Sequence, residues 1–180
     1  MKKYITIGRE FGSHGRTIAK LVSEKLNIPF YDSEIIDLAA KESGLSADFI
    51  KENEQNITSG WLYTLLLGAG YSTPSNGGRL NVTTQNQTMP LADQVFNAQR
   101  KTIIDLVKKG PCVIVGRCSD YILRHCEEIN REELLNVFIY ADLDFKVKTA
   151  IEDGMDPKIA EREVKLIDKR RANHYNTFTE

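Results

Sequence analysis

The run EFGSHGRT, Glu10 to Thr17, carries the residue types that hold a phosphate group. Gly12 and Gly15 allow the backbone to come close to an anion. Arg16 is a permanent cation whose forked donors match phosphate oxygens, and the Thr17 hydroxyl is suited to a magnesium ion. Phe11, Gly12, Ser13, His14, Gly15, Arg16 and Thr17 are therefore the expected phosphate-binding segment. The run departs from G-x-x-x-x-G-K-[ST] at two positions, with Glu10 in the place of the first glycine and Arg16 in that of the lysine. A dinucleotide fingerprint fits less well, because Gly12 and Gly15 do not complete G-x-G-x-x-G. The competing reading is an ordinary strand–turn–helix connection whose glycines serve only the turn.

The flanking residues must place this loop. Tyr4, Ile5, Thr6 and Ile7 suit a strand buried on both faces, and Ile18, Leu21, Val22 and Leu26 recur at helical spacing. The loop then opens a helix, where free N–H groups and the positive end of the helix dipole favour an anion. A short strand at Pro29 to Tyr31 leads to Asp32 or Ser33 as a helix cap and Gly44 as its stop. Another helix starts after Ser46, and Gly68 to Pro90 is polar and aperiodic, as in a long loop or lid-like insertion.

Order returns with a helix whose apolar stripe is Val95, Phe96, Ile103, Leu106 and Val107, stopped by Gly110 and Pro111. Gln99 lies on that stripe, either as a satisfied core amide or facing a pocket. CVIVGR from Cys112 and NVFIYAD from Asn136 read as central parallel strands. In such sheets ligands sit beyond the carboxyl ends of the strands, which puts the first loop, Asp32, Arg117 and Asp142 on one rim. The final helix, with Asp156 to cap it and Pro157 at its start, shows a narrow face of Ile159, Val164 and Ile167. Its basic residues make either a solvated face with a Glu161–Lys165 pair or a lid that brings cations onto a transferring phosphoryl group.

The chain has 180 residues, enough for one domain with a sizeable core. With 24 basic and 25 acidic residues it has no charge bias that would mark it for a nucleic acid polymer or a membrane surface. Arg9 and Glu10 interrupt the first apolar run, so no signal peptide is read, and no stretch reaches membrane-spanning length. Cys112, Cys118 and Cys126 lack metal-site spacing and suit a reducing cytoplasm better than a disulfide framework.

ITIGREFGSHGR, IPFYDSEII, AQRKTII, GPCVIVGRCSDYIL, VFIYAD and IDKRRANHY together resemble the cytidylate kinase-like family, over most of the chain. REFGSGGR is characteristic of that group, so the resemblance makes the arginine closure a feature of a variant phosphate loop. It implies an α/β, three-layer P-loop NTPase fold with a parallel sheet core, a helical NMP-binding insertion and a short helical lid. Within a single domain 1–180, residues 1–44 would hold the phosphate loop and second strand, 45–91 the insertion, 92–141 core helices and strands, and 142–180 the lid region.

The activity implied is transfer of the ATP γ-phosphoryl group to CMP or dCMP, with magnesium. By this likeness Arg16 replaces the loop lysine, Gln99–Arg100 corresponds to a QR pair, and Arg117 to the arginine of GRD, which holds the nucleotide substrate. Asp168 with Arg171 looks like the D-x-x-R of the lid. The aspartate of GRD is Cys118 here, with Asp120 as a substitute if the turn presents it, and His14 stands where many relatives have glycine. Relatives continue past YNTFTE to another strand and helix, so an abbreviated C-terminus is expected. Two other readings compete: a nucleotide-binding regulatory module without phosphoryl transfer, and a P-loop kinase for another small hydroxyl acceptor.

Overall fold

The computed structural model describes residues 2–44, 47–48, 51 and 91–179. The expected helix after Ser46 and the polar segment Gly68 to Pro90 lie almost wholly outside the described residues, and with them most of the expected insertion 45–91.

Four strands, β1 (Tyr4–Arg9), β2 (Phe30–Tyr31), β3 (Cys112–Val115) and β4 (Leu134–Ile139), form one parallel sheet in the order β2-β3-β1-β4. Six helices accompany them among the described residues: α1 (Gly15–Leu26), α2 (Glu34–Ser43), α3 (Leu91–Lys108), α4 (Ser119–Arg124), α5 (Leu143–Glu152) and α6 (Ala160–Thr179). Ile5 pairs with Val113 and Leu135, and Ile7 with Val115 and Val137, so β1 lies between β3 and β4 in register.

Successive strand residues feed opposite faces of the sheet. On one face Ile5, Ile7, Val113 and Val115 pack with Ala19 of α1. On the other, Ile114 joins Ile35, Ile103, Leu106, Val107, Ile122 and Leu123 from α2, α3 and α4. Each such aliphatic side chain, fully removed from water, contributes about 1.5–3 kcal/mol. β3 is buried along its whole length, as its continuous apolar run requires.

Two sequence expectations fail here. The inward face of α1 is Gly15, Ala19 and Ser23, while Ile18, Leu21 and Leu26 are 38%, 51% and 46% exposed. Small residues every fourth position let the helix backbone approach the sheet closely, and that outweighs the pull of the larger side chains. β4 was expected to be a central strand, but among the described strands it pairs only with β1, at a sheet edge, and leaves Leu135 and Phe138 exposed. No helix among the described residues is long and apolar enough to cross a membrane.

Candidate active site

β1 ends at Arg9 and α1 begins at Gly15, so the segment expected to bind phosphate spans the carboxyl rim of the sheet. Two of its residues are left-handed, Gly12 at φ 70° and His14 at φ 57° as the N-cap of α1. A Cβ on Gly12 would come within 2.7 Å of the Lys146 carbonyl oxygen, and one on Gly15 within 2.5 Å of the Arg9 Cβ. Gly12 is therefore required by contact as well as by the turn, and Gly15 by contact alone. The His14 ring lies edge-on to Phe145 at 5.4 Å, so its bulk packs toward α5. Thr17 is exposed in the first turn of α1, and the Ser13 hydroxyl donates to the Glu10 carbonyl at 2.9 Å.

Asp32 collects the cations of the rim. It leaves β2 and is buried just before α2, so the cap expected of Asp32 or Ser33 falls to Ser33, without a side-chain bond. Its Oδ2 meets Arg16 Nε at 2.7 Å, and its Oδ1 lies 3.3 Å from Arg117 Nη1 and 3.7 Å from Arg9 Nη2. The three pairs are unequal. Arg16 is 65% exposed, so its pair is largely screened. Arg117 and Asp32 are each 10% exposed, so their pair is little screened by water.

Arg117 follows β3 in a turn where Gly116, Arg117 and Cys118 are all left-handed, at φ 71°, 54° and 51°. A Cβ on Gly116 would fall on the Arg9 guanidinium. The Arg9 side chain thus runs between Gly15 of the first loop and Gly116 of the third-strand turn.

A second cluster joins the loop to α6. The Phe11 N–H donates to Asp168 Oδ1 at 2.7 Å. Lys146 Nζ donates to Asp168 Oδ2 at 2.9 Å and to Glu10 Oε2 at 2.8 Å. Burial works against the Lys146 charge, but the bonds from Glu10 and Asp168 outweigh it and raise its pKa. Arg171 Nη1 donates to the Arg9 carbonyl at 3.2 Å, and its guanidinium lies 5.7 Å from the centre of the Phe11 ring. Burial lowers the Arg171 pKa, opposed by Asp168 and Asp32.

The structure thus brings Arg16, Asp32 and Arg117 together, and Phe11, Asp168 and Arg171 beside them. The remaining expected residues stand apart in character. Gln99 is buried in α3 at 1% exposure, and its neighbour Arg100 is exposed. Asp120 accepts from Tyr175 Oη at 2.7 Å and from Arg124 Nη2 at 2.9 Å. Asp142 is the exposed N-cap of α5. Arg9, Lys146 and His174 were missed. Arg9 was open to notice as the first residue of the REFG run, but nothing in the pattern of α5 singles out Lys146. A shallow cleft of about 440 Å³, lined by Asp144, Val147, Lys148, Ile151, Glu152 and Glu161, contains none of the expected site residues.

Cys118, in the place of the GRD aspartate, is buried with its Sγ 3.7 Å from His174 Nδ1. Burial, reinforced by the Arg117 charge, pushes the His174 pKa down from 6.5 to about 4. The unfolded chain then binds a proton that the folded one does not. The His174 contribution is intact above pH 6.5, is lost as pH falls toward 4, and changes no further below it. The loss is up to about 3 kcal/mol. Urea denaturation between pH 7 and 4 should show this component, and His174→Gln should remove it.

A comparison with family descriptions matches residues 4–180 to the cytidylate kinase-like family. Among curated proteins none matches the chain. A crystal structure of an uncharacterized protein from Eubacterium ventriosum is similar, with a TM-score of 0.57 and 24% identity, over 98% of this chain and 78% of that one. That likeness shows the fold alone. The family match spans the first strand, the variant loop, the Asp32 cluster and the docked terminal helix: this chain belongs to the cytidylate kinase-like family.

Proposed function

We propose that the protein is an ATP-dependent nucleoside monophosphate kinase, transferring the γ-phosphoryl group to CMP, dCMP or a related monophosphate. The observation that carries this reading is the shared carboxylate of Asp32. It bonds Arg16 of the donor-side loop and Arg117 of the acceptor-side turn, so both cations meet at one point of the rim. In-line transfer requires that meeting, because an acceptor phosphate oxygen forms a bond to the γ-phosphorus as the bond to the β-phosphate oxygen breaks.

The reading takes the whole chain as one P-loop kinase domain, with 45–91 as the monophosphate-binding insertion and 142–180 as the lid. Phe11 to Thr17 would hold the ATP phosphates, and Asp32, Gln99, Arg100, Arg117 and Asp120 would serve the acceptor. The loop suits such a ligand because it opens directly into the N-terminus of α1. Among the described residues no group of three or more His, Cys, Asp or Glu side chains could hold a metal. Magnesium carried on the nucleotide needs few protein ligands, and the exposed Thr17 hydroxyl would be one. When bound, the ion neutralises charge on the phosphates. Three free, buried cysteines support a cytoplasmic setting for this activity.

One observation favours the regulatory alternative: Arg16 and the Phe11 N–H are already satisfied by internal carboxylates, Asp32 and Asp168. Thermal-shift measurements with nucleoside mono- and triphosphates, followed by turnover assays, separate the two. The kinase reading expects stabilisation by ATP–Mg and formation of ADP and a diphosphate, with weaker binding and no transfer in Arg16→Ala. Arg16→Lys should keep part of the function, because the charge survives and the fork is lost. Binding without product supports the regulatory module, and no ATP or ADP binding at millimolar concentration overturns both readings.

A further inference from the structure

Glu10 is an anomaly for an anion site. It puts a carboxylate in the place of the first glycine of the loop motif, next to the residues expected to receive phosphate. Glu10 is held firmly: its N–H donates to the Ile139 carbonyl at 3.0 Å, and its Oε2 accepts from the Ala141 N–H at 3.3 Å. The same Oε2 accepts from Lys146, whose side chain is only 9% exposed. Lys146 belongs to α5, whose backbone packs so closely on Gly12 that no Cβ fits between them. Its ammonium then reaches Asp168 of α6, and Asp168 receives the Phe11 amide. One buried cation therefore ties together β1's exit, the phosphate loop and the terminal helix.

We propose that Lys146 is a positioning residue: held between Glu10 and Asp168, it fixes α6 against the phosphate loop, so that Asp168 engages Phe11 and Arg171 lies beside the site. Glu10 is then the loop-side anchor of this bridge. With the ammonium present the Glu10–Lys146–Asp168 set carries one net negative charge. Without it two carboxylates face each other, and repulsion drives Asp168 and its helix off the loop. The alternative is that Lys146 only fills space with its aliphatic stem. Lys146→Met separates the two, since it keeps most of the volume and removes the charge.

The consequence for turnover rests on the kinase reading, but the contact itself does not, and amide hydrogen exchange on the ligand-free full chain reads it directly. In Lys146→Met the Phe11 amide and the α6 amides should exchange at least about tenfold faster, with β1 and β3 amides unchanged, as for local opening. Lys146→Arg should stay near wild type. If Lys146→Met does not fold, Glu10→Gln serves in its place and should speed the same amides by about threefold. In active protein, Lys146→Met should lower kcat while leaving KM for the monophosphate unchanged. Phe11 and α6 exchange within about twofold of wild type in every folded variant of Lys146 and Glu10 would overturn the proposal. Faster exchange in a protein that phosphorylates no monophosphate would leave the bridge standing and remove the kinase reading instead.

Discussion

Arg171→Ala should lower turnover on the scale of ~10³, the size of effect seen when an arginine finger is lost, with little change in ATP affinity. The expectation follows from where α6 puts the guanidinium. Arg171 donates to the backbone of Arg9, the residue that ends β1, and its cationic head lies by the ring of Phe11 at the start of the loop. Asp168, three residues earlier, is committed to Phe11 and Lys146, so the two side chains hold the loop by separate contacts. Arg170 is exposed on the same helix and serves as the control. If Arg171 were only a structural tie to the Arg9 carbonyl, its loss would cost about 0.5–1.5 kcal/mol of stability and nothing in rate. Steady-state kinetics of both alanine variants decide the matter. Unchanged kcat for Arg171→Ala in an active enzyme would leave Arg171 as a structural tie between α6 and the end of β1.

The elements that carry this argument were legible to different degrees, for physical reasons. β3 declared itself because an unbroken apolar run bounded by Gly110–Pro111 and Gly116 has few other folds available to it, and it is the buried central strand. Gly44 was readable as a helix stop, and it is left-handed at φ 74° with its N–H on the Ala40 carbonyl. The α1 face misled because periodicity weighs side chains by size, whereas close approach of a helix to a sheet selects Gly15, Ala19 and Ser23 for being small. α5 shows the limit most clearly. It buries Lys146, Thr149 and Ala150 and leaves Phe145 46% exposed. A helix that buries a lysine does so for partners distant in sequence, Glu10 and Asp168, and a pattern read along one helix holds no trace of them. Arg117 and Asp32 could each be placed at the rim from the topology of parallel sheets. That one carboxylate would gather Arg9, Arg16 and Arg117 is a fact of three dimensions.

Asp32→Ala should lose stability in the absence of ligand and regain an unusual share of it in the presence of phosphate. The Arg117–Asp32 pair carries most of this, because both side chains are only 10% exposed and removing one partner of such a pair typically costs about 3–5 kcal/mol. The Arg16 pair adds little, being 65% exposed on the arginine side. What remains after the substitution is the guanidiniums of Arg9, Arg16 and Arg117 gathered around the position of the lost carboxylate, with a surplus of positive charge there. An added anion with several oxygens satisfies that charge, and binding to the folded state alone raises stability in proportion to RT ln(1 + [L]/Kd). In the wild-type protein the same anion must first compete with the Asp32 carboxylate. Phosphate or pyrophosphate at a fixed millimolar concentration should therefore raise the Tm of Asp32→Ala more than that of wild type, although the variant starts lower. Turnover should fall at the same time, since the carboxylate that aligns Arg16 with Arg117 is gone. Equal anion-induced shifts in the two proteins would mean that Asp32 does not stand in for phosphate, and that the three arginines converge for the fold alone.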